Sequence, residues 1–212
     1  MDIVLHPITG APPPHLRAWV DAVLATVQGE AGVLVSHALG MPSRQSGVPG
    51  YLLTAWADPA DADRAAAAPP VEVGDGVRVG PGRRYPVTAS GRGSAATGPA
   101  RFLQVAIFDG PRGADWVAAF AASGARRVWP VMRAVPGVVA GATAVAEDGA
   151  ALALVLAESV DALEETLRRT MATPLLPGED PALLTGPDRV EIHRLAHAGQ
   201  PEALLAGQEV QA

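Results

Sequence analysis

The chain has 212 residues and a formal net charge of −6, with no Cys, no Lys and no Asn. That balance excludes a basic stripe for nucleic acid. The missing Cys excludes disulfides, thiolate nucleophiles and iron–sulfur clusters, and the missing Lys excludes Schiff-base chemistry and a phosphate-loop lysine.

In chain order, residues 4–8 read as a strand. After Pro12-Pro13-Pro14, the positions Leu16, Trp19, Val20, Val23 and Val27 make one helical stripe. Residues 32–39 and 51–57 read as strands two and three, joined by a long loop over 41–50. Residues 58–68 read as a short helix stopped by Pro69-Pro70. The glycine-rich run 74–82 has no helix after it, so it reads as a turn and not as a phosphate cradle. Residues 84–88 make a fourth strand. Its Pro86 has no N–H to give, which marks an edge or a bulge. Gly, Ser and Ala over residues 91–100 read as a linker.

The second half is the cleaner. Residues 101–108 alternate and carry Phe, Val and Ile, a strand. Trp116, Phe120, Gly124, Val128, Met132 and Val135 then recur at near-helical spacing. Gly124 weakens that helix, Pro130 should kink it, and Pro136-Gly137 ends it. Residues 138–146 and 150–156 are strands joined by the turn Glu147-Asp148-Gly149. Ser159 caps a helix running to about residue 170, with Val160, Leu163 and Leu167 as its expected inner stripe. A Pro- and Leu-bearing loop over 174–187 leads to a last strand, 190–195.

The order β-α-β-β-α-β is the ferredoxin-like pattern, and the chain writes it twice. Trp19-Val20-Asp21-Ala22 returns as Trp116-Val117-Ala118-Ala119. Gly80-Pro81-Gly82-Arg83 returns as Gly186-Pro187-Asp188-Arg189, each echo about a hundred residues on. The expected division is a looser unit over 1–90, a linker over 91–100, a second unit over 101–196 and a tail over 197–212. Each unit would have one bare apolar sheet face, which must be buried against another sheet. The expected fold is therefore α+β, with two tandem ferredoxin-like units closing their sheets on each other in a barrel-like core. A monomeric pseudo-dimer or a homodimer of it would result.

The residues Gly110-Pro111, Trp116-Val117-Ala118-Ala119-Phe120, Arg127-Val128-Trp129-Pro130, Val135-Pro136-Gly137, Asp148-Gly149, Leu176-Pro177-Gly178-Glu179-Asp180 and Gly186-Pro187-Asp188-Arg189-Val190-Glu191 form a connected set. In them the chain resembles the antibiotic biosynthesis monooxygenase-like group of the dimeric α+β barrel superfamily. The resemblance covers residues 101–196 well and 1–90 weakly. It implies an apolar pocket between sheet and helices in each unit. It also implies activities that range from cofactor-free oxygenation of polycyclic phenols to haem degradation. The oxygenases of the group rely on an Asn with a Trp, helped by His, Tyr or Arg, and this chain has no Asn to carry that role.

Glu191 and His193 sit two apart on the last strand and share a face with Arg189. If that face lines a pocket, Glu191 would orient His193 as a general base, and Arg189 would hold an anionic phenolate or carboxylate. The ordinary alternative is an exposed polar edge strand. His193 and His197 lie about 13 Å apart on a strand, too far to share a metal ion, and no metal is expected. Trp116, echoed by Trp19, reads as core; Trp129, with no echo, reads as a pocket wall. Phe120 and Arg127 complete the expected substrate-binding set. His37 is a satisfied core histidine or, in a haem protein, an axial ligand.

Three functional readings stand side by side. The first is a cofactor-independent oxygenase of bacterial secondary metabolism acting on a phenolic or polyketide-like molecule. The second is a non-catalytic protein that binds a small apolar or aromatic ligand. The third is a haem-binding protein. The first two need no cofactor. No nucleic-acid or membrane partner is expected, and the location expected is cytoplasmic, since no basic amino-terminal region or long apolar run is present. Abundant Ala, Gly, Pro and Arg suit a GC-rich genome such as an actinobacterial one.

Overall fold

A computed structural model describes residues 1–10, 21, 22, 25, 34–42, 50–73 and 76–199. For 34–42 the backbone is described. Most of the expected helix over 16–27, most of the loop 41–50, the side chain of His37 and the tail beyond residue 199 lie outside the described residues or side chains.

The first half contains β1 (Asp2–Thr9), β2 (Leu34–Pro42), β3 (Gly50–Trp56), α1 (Pro59–Ala67), the short strands β4 (Val71–Glu72) and β5 (Arg78–Val79), and β6 (Arg83–Arg92). The second half contains β7 (Phe102–Phe108), α2 (Ala114–Ser123), a π-helical turn (Gly124–Val128), α3 (Trp129–Met132), β8 (Val138–Val145), β9 (Ala151–Ala157), α4 (Val160–Ala172) and β10 (Arg189–Gly199). Thus β6 takes in the first two residues of the expected linker, and β10 the first three of the expected tail.

Caps and turns follow local chemistry. Asp58 accepts from the amides of Ala60 and Asp61 at the start of α1, and Ser159 accepts from Ala162 at the start of α4. Gly149 holds φ +82 in the β8–β9 turn, a conformation that favours glycine.

The second-half strands lie in the order β10-β7-β9-β8 and the first-half strands in the order β2-β3-β1-β6. The halves are joined by β2 to β10 and by β6 to β8, and every pair is antiparallel. Because β1 pairs with both β3 and β6, the eight long strands run in a closed ring. Ile3, Leu5, Tyr51, Leu53, Tyr85, Leu103, Val105, Ile107, Leu152, Leu154 and Leu156 belong to one buried cluster drawn from both halves. That cluster is the barrel interior. The helices cover the outside: α1 packs on Val4 and Trp56, and α3 and α4 pack on Val155 and Ala157.

Three expectations need correction or refinement. Leu167 is 40% exposed, whereas Thr166 is buried and donates to the carbonyl of Ala162, so the inner stripe of α4 is Ala162, Leu163 and Thr166. Pro86 is not on an edge strand. β6 pairs with β1 up to Pro86 and with β8 from Val87, with a bulge between Val87 and Ala89. The proline falls at the handover, where its missing N–H costs no ladder bond. Pro130 does not kink the long helix directly. The ladder widens before it into the π turn, in which the Trp129 amide donates to Gly124.

Candidate functional site

On the helix face of the second-half sheet, strand register builds a bare floor. One cross-strand row runs Ile192, Gln104, Val155, Gly141, Gly91. The next runs Val190, Ala106, Ala153, Thr143, Ala89. Directly paired residues share a face, so Ala106, Ala153, Thr143 and Ala89 stand across four adjacent strands, beside the bare Gly141–Gly91 end of the first row, while Val155 of that row is buried against α3 and α4. The π turn advances the helix by one residue and brings Trp129 over this floor. Its indole rests on Gly91 and Gly141, where it leaves no room for a Cβ on either residue. Glycine inside a strand is the usual mark of such a close approach. Beside the indole is an apolar cavity of about 40 Å³, whose walls include Ala89, Gly124, Val128, Met132, Thr143 and Ala153.

Gln104 adjoins the floor. It pairs with Val155, two residues from the cavity-lining Ala153, and sits on the helix face between Leu103 and Val105, which face the barrel. Its side chain is buried and its Oε1 has no hydrogen-bond partner. Sequence reasoning passes over Gln104, Gly91 and Gly141. The available signals are one amide in the otherwise apolar strand Phe102–Phe108 and a glycine inside each of two strands.

The sequence-predicted residues divide between the two faces of the sheet. Trp129 lines the helix-side cavity. Trp116 and Phe120 are also on the helix side, but in an aromatic cluster with Phe108. The Trp116 and Phe120 rings stack at 5.1 Å, and the Arg112 guanidinium lies 5.1 Å from the Trp116 ring centroid. Arg127, on the π turn, pairs with Glu179 at 3.0 Å and donates to the Ser123 hydroxyl, tying the loop between α4 and β10 to the helix.

Glu191 and His193 face the other way. They pair with Val105 and Leu103, so they point into the barrel, away from the helices and the cavity under Trp129. His193 is fully buried and Glu191 nearly so; His193 Nε2 lies 3.2 Å from Glu191 Oε2. The Tyr51 ring meets the imidazole edge-on at 5.1 Å. Burial holds His193 below its usual 6.5, against the charge and hydrogen bond of Glu191, which favour the protonated ring. Tyr51 is pushed up to about 12, first by burial and then by the Glu191 carboxylate, with Arg189 pulling the other way. His193 Nδ1 has no partner. Arg189 stands half-exposed at the strand start, 3.2 Å from Asp109.

Among the described residues no group of three or more His, Asp or Glu could hold a metal ion, and no helix is long and apolar enough to cross a membrane.

No protein-family model matches the sequence, and no curated protein matches it. The structure aligns with a candidate monooxygenase of Fusobacterium nucleatum at TM-score 0.58 and 10% identity, over 94% of this chain and 93% of that one. It aligns with a candidate monooxygenase of Lactobacillus acidophilus at 0.57 and 10%, over 93% and 95%. It aligns with an anthrone oxidase-like protein at 0.52 and 12%, over 98% and 97%. At these identities the likeness is one of fold. The chain therefore shares the fold of these monooxygenase-like proteins.

Proposed function

We propose that this protein is a cofactor-independent oxygenase that takes a small phenolic or polyketide-like aromatic molecule on the helix side of its second-half sheet. The observation that carries this reading is the Trp129 indole lying on a bare glycine pair beside an apolar cavity. A cavity of about 40 Å³ is far below the few hundred Å³ that enclose a drug-sized ligand. The bound state therefore has the indole off its seat and a flat ring in its place. Such a site strips water from the ring and leaves apolar space for dioxygen. The balance needs no outside reductant: a ring methylene and one dioxygen give a ring carbonyl and one water. Both hydrogens leave in that water, one oxygen stays on carbon, and the carbon supplies all four electrons.

We infer further that the two halves are tandem ferredoxin-like units, one serving as the built-in partner of the other. The two four-strand orders and the ring they form support this.

Anthrone in air-saturated buffer is the direct test, since one structural neighbour is described as anthrone oxidase-like. Anthraquinone should form faster with the protein than without it, and Gly141→Val, which puts a side chain where the ring would lie, should abolish the gain. Quenching of tryptophan fluorescence without turnover would make the protein a binder only. Neither quenching nor turnover would end both readings.

A second reading rests on the unpartnered Nδ1 of His193. A phenol entering the barrel end past Arg189 and Tyr51 would meet His193 as its base, oriented by Glu191. An unchanged rate and pH profile in a folded His193→Gln protein would end that role.

A further inference from the structure

Between α4 and β10 the chain runs through residues 173–188 with no helix or strand. Loops of that length inside a compact domain are uncommon and usually carry a function. Most of this one is exposed, but Glu179 turns inward, its side chain only 11% exposed. The loop itself sets that pose: Glu179 Oε2 accepts from the Leu176 amide at 2.8 Å, and the Glu179 amide donates back to the Leu176 carbonyl at 3.0 Å. Across from it stands Arg127, 12% exposed, with Nε 3.0 Å from Glu179 Oε2. The same guanidinium donates to the Ser123 hydroxyl and to the Thr173 carbonyl at the start of the loop. A charge pair withdrawn from water and hydrogen-bonded on both sides parts far less readily than an exposed one.

Arg127 belongs to the π turn, Gly124–Val128. Gly124 and Val128, at the two ends of that turn, line the cavity with Trp129 and Met132, whereas neither Arg127 nor any residue of the loop does. The turn is thus the roof of the site, and the loop is its anchor. That roof is weakly held by its own backbone. The Trp129 amide reaches back to Gly124, and the next residue, Pro130, has no N–H to add a ladder bond. The element that carries the indole, α3, is only the four residues Trp129–Met132. We propose that Arg127 and Glu179 are positioning residues of the helix-side site. Their pair fixes the π turn, keeps the Trp129 indole seated on Gly91 and Gly141, and parts when a ligand ring takes that seat. The inference rests on the binding reading above and adds the contact that governs entry. The closed state competes with the ligand, so apparent affinity is lowered by the fraction of molecules that are open.

Labelling with 5-fluorotryptophan gives each of the four tryptophans its own fluorine NMR resonance, and Trp129→Phe identifies the one from Trp129. In Glu179→Ala that resonance should move while those of Trp56 and Trp116 stay. Anthrone, dialysed under nitrogen, should bind this variant about tenfold more tightly than wild type. Glu179→Gln, which keeps an acceptor for the Leu176 amide, should show the same two changes at smaller size. Asp188→Asn loosens the far end of the same loop, where Asp188 holds Arg112, and should show neither. An unmoved Trp129 resonance in both Glu179 variants overturns the proposal and leaves the binding reading standing. So does a moved resonance with unchanged anthrone affinity, or an equal effect of Asp188→Asn. No binding of anthrone by any of these proteins ends the helix-side site and this inference with it.

Discussion

At position 193 the fold holds an imidazole away from water, with a carboxylate as its hydrogen-bonding partner. Removing one member of such a pair leaves the other buried without compensation. His193→Leu should therefore lose about 3–5 kcal/mol of stability. The double change with Glu191→Leu should lose less than the sum of the single changes, because the two groups are coupled. Urea titrations of the four proteins check this. The pH dependence has a definite sign. The folded protein holds His193 below 6.5, so between that lowered value and 6.5 the unfolded chain binds more protons. Stability should then fall as pH drops below about 6.5, by up to about 1.4 kcal/mol per unit for each such histidine. His6, also lowered by burial against a raising bond to the Gly80 carbonyl, adds to the same slope. The double variant should keep only the His6 part. A slope equal to that of wild type would contradict this assignment.

Among the elements, the segment from Ala114 to Met132 links sequence to site most closely. Gly124 has ordinary helical angles, φ −53 and ψ −51, and an added Cβ would meet only Thr143 Cγ2 at 3.7 Å. Gly124→Ala should raise stability by about 0.4–1 kcal/mol, by restricting the unfolded chain, and should narrow the cavity that Gly124 lines. A thermal melt and a weakened fluorescence quench by anthrone check the two halves of that statement, and a lower melting temperature would refute it. Much of this was legible in advance. The change from alternation to helical spacing after residue 108, the Asp148-Gly149 turn and the Ser159 cap put β7, β8, β9 and α4 within a residue or two of their places, whereas β10 runs four residues past its expected end. The π turn was not legible, because Pro130 announces a disturbance without saying where the ladder opens. Nor was the inward face of β10. Arg-x-Glu-x-His alternates in the same way on a solvent edge as inside a barrel, and the deciding contacts, Leu103, Val105 and Tyr51, are distant in sequence. Gln104 was missed because one amide in an apolar strand carries no period.

For the molecule as a whole, the ring is the governing fact. Its interior is shared, so each half keeps Leu103, Val105 and Leu154, or Ile3, Leu5 and Leu53, from water only by facing the other. Residues 101–199 expressed alone should not remain monomeric. At about 25 cal/mol per Å² of apolar surface, an uncovered sheet face is enough to drive self-association. Light scattering after size exclusion decides, and a stable monomer would count against the tandem reading. A ring also leaves its long strands no free edge, the feature through which sheets recruit other chains. The single strand β6 adds something further. It gives its first residues to the sheet of one half and its last residues to the sheet of the other. Whatever loosens one half must unzip a strand that the other half is holding, so both halves should be lost together in one event.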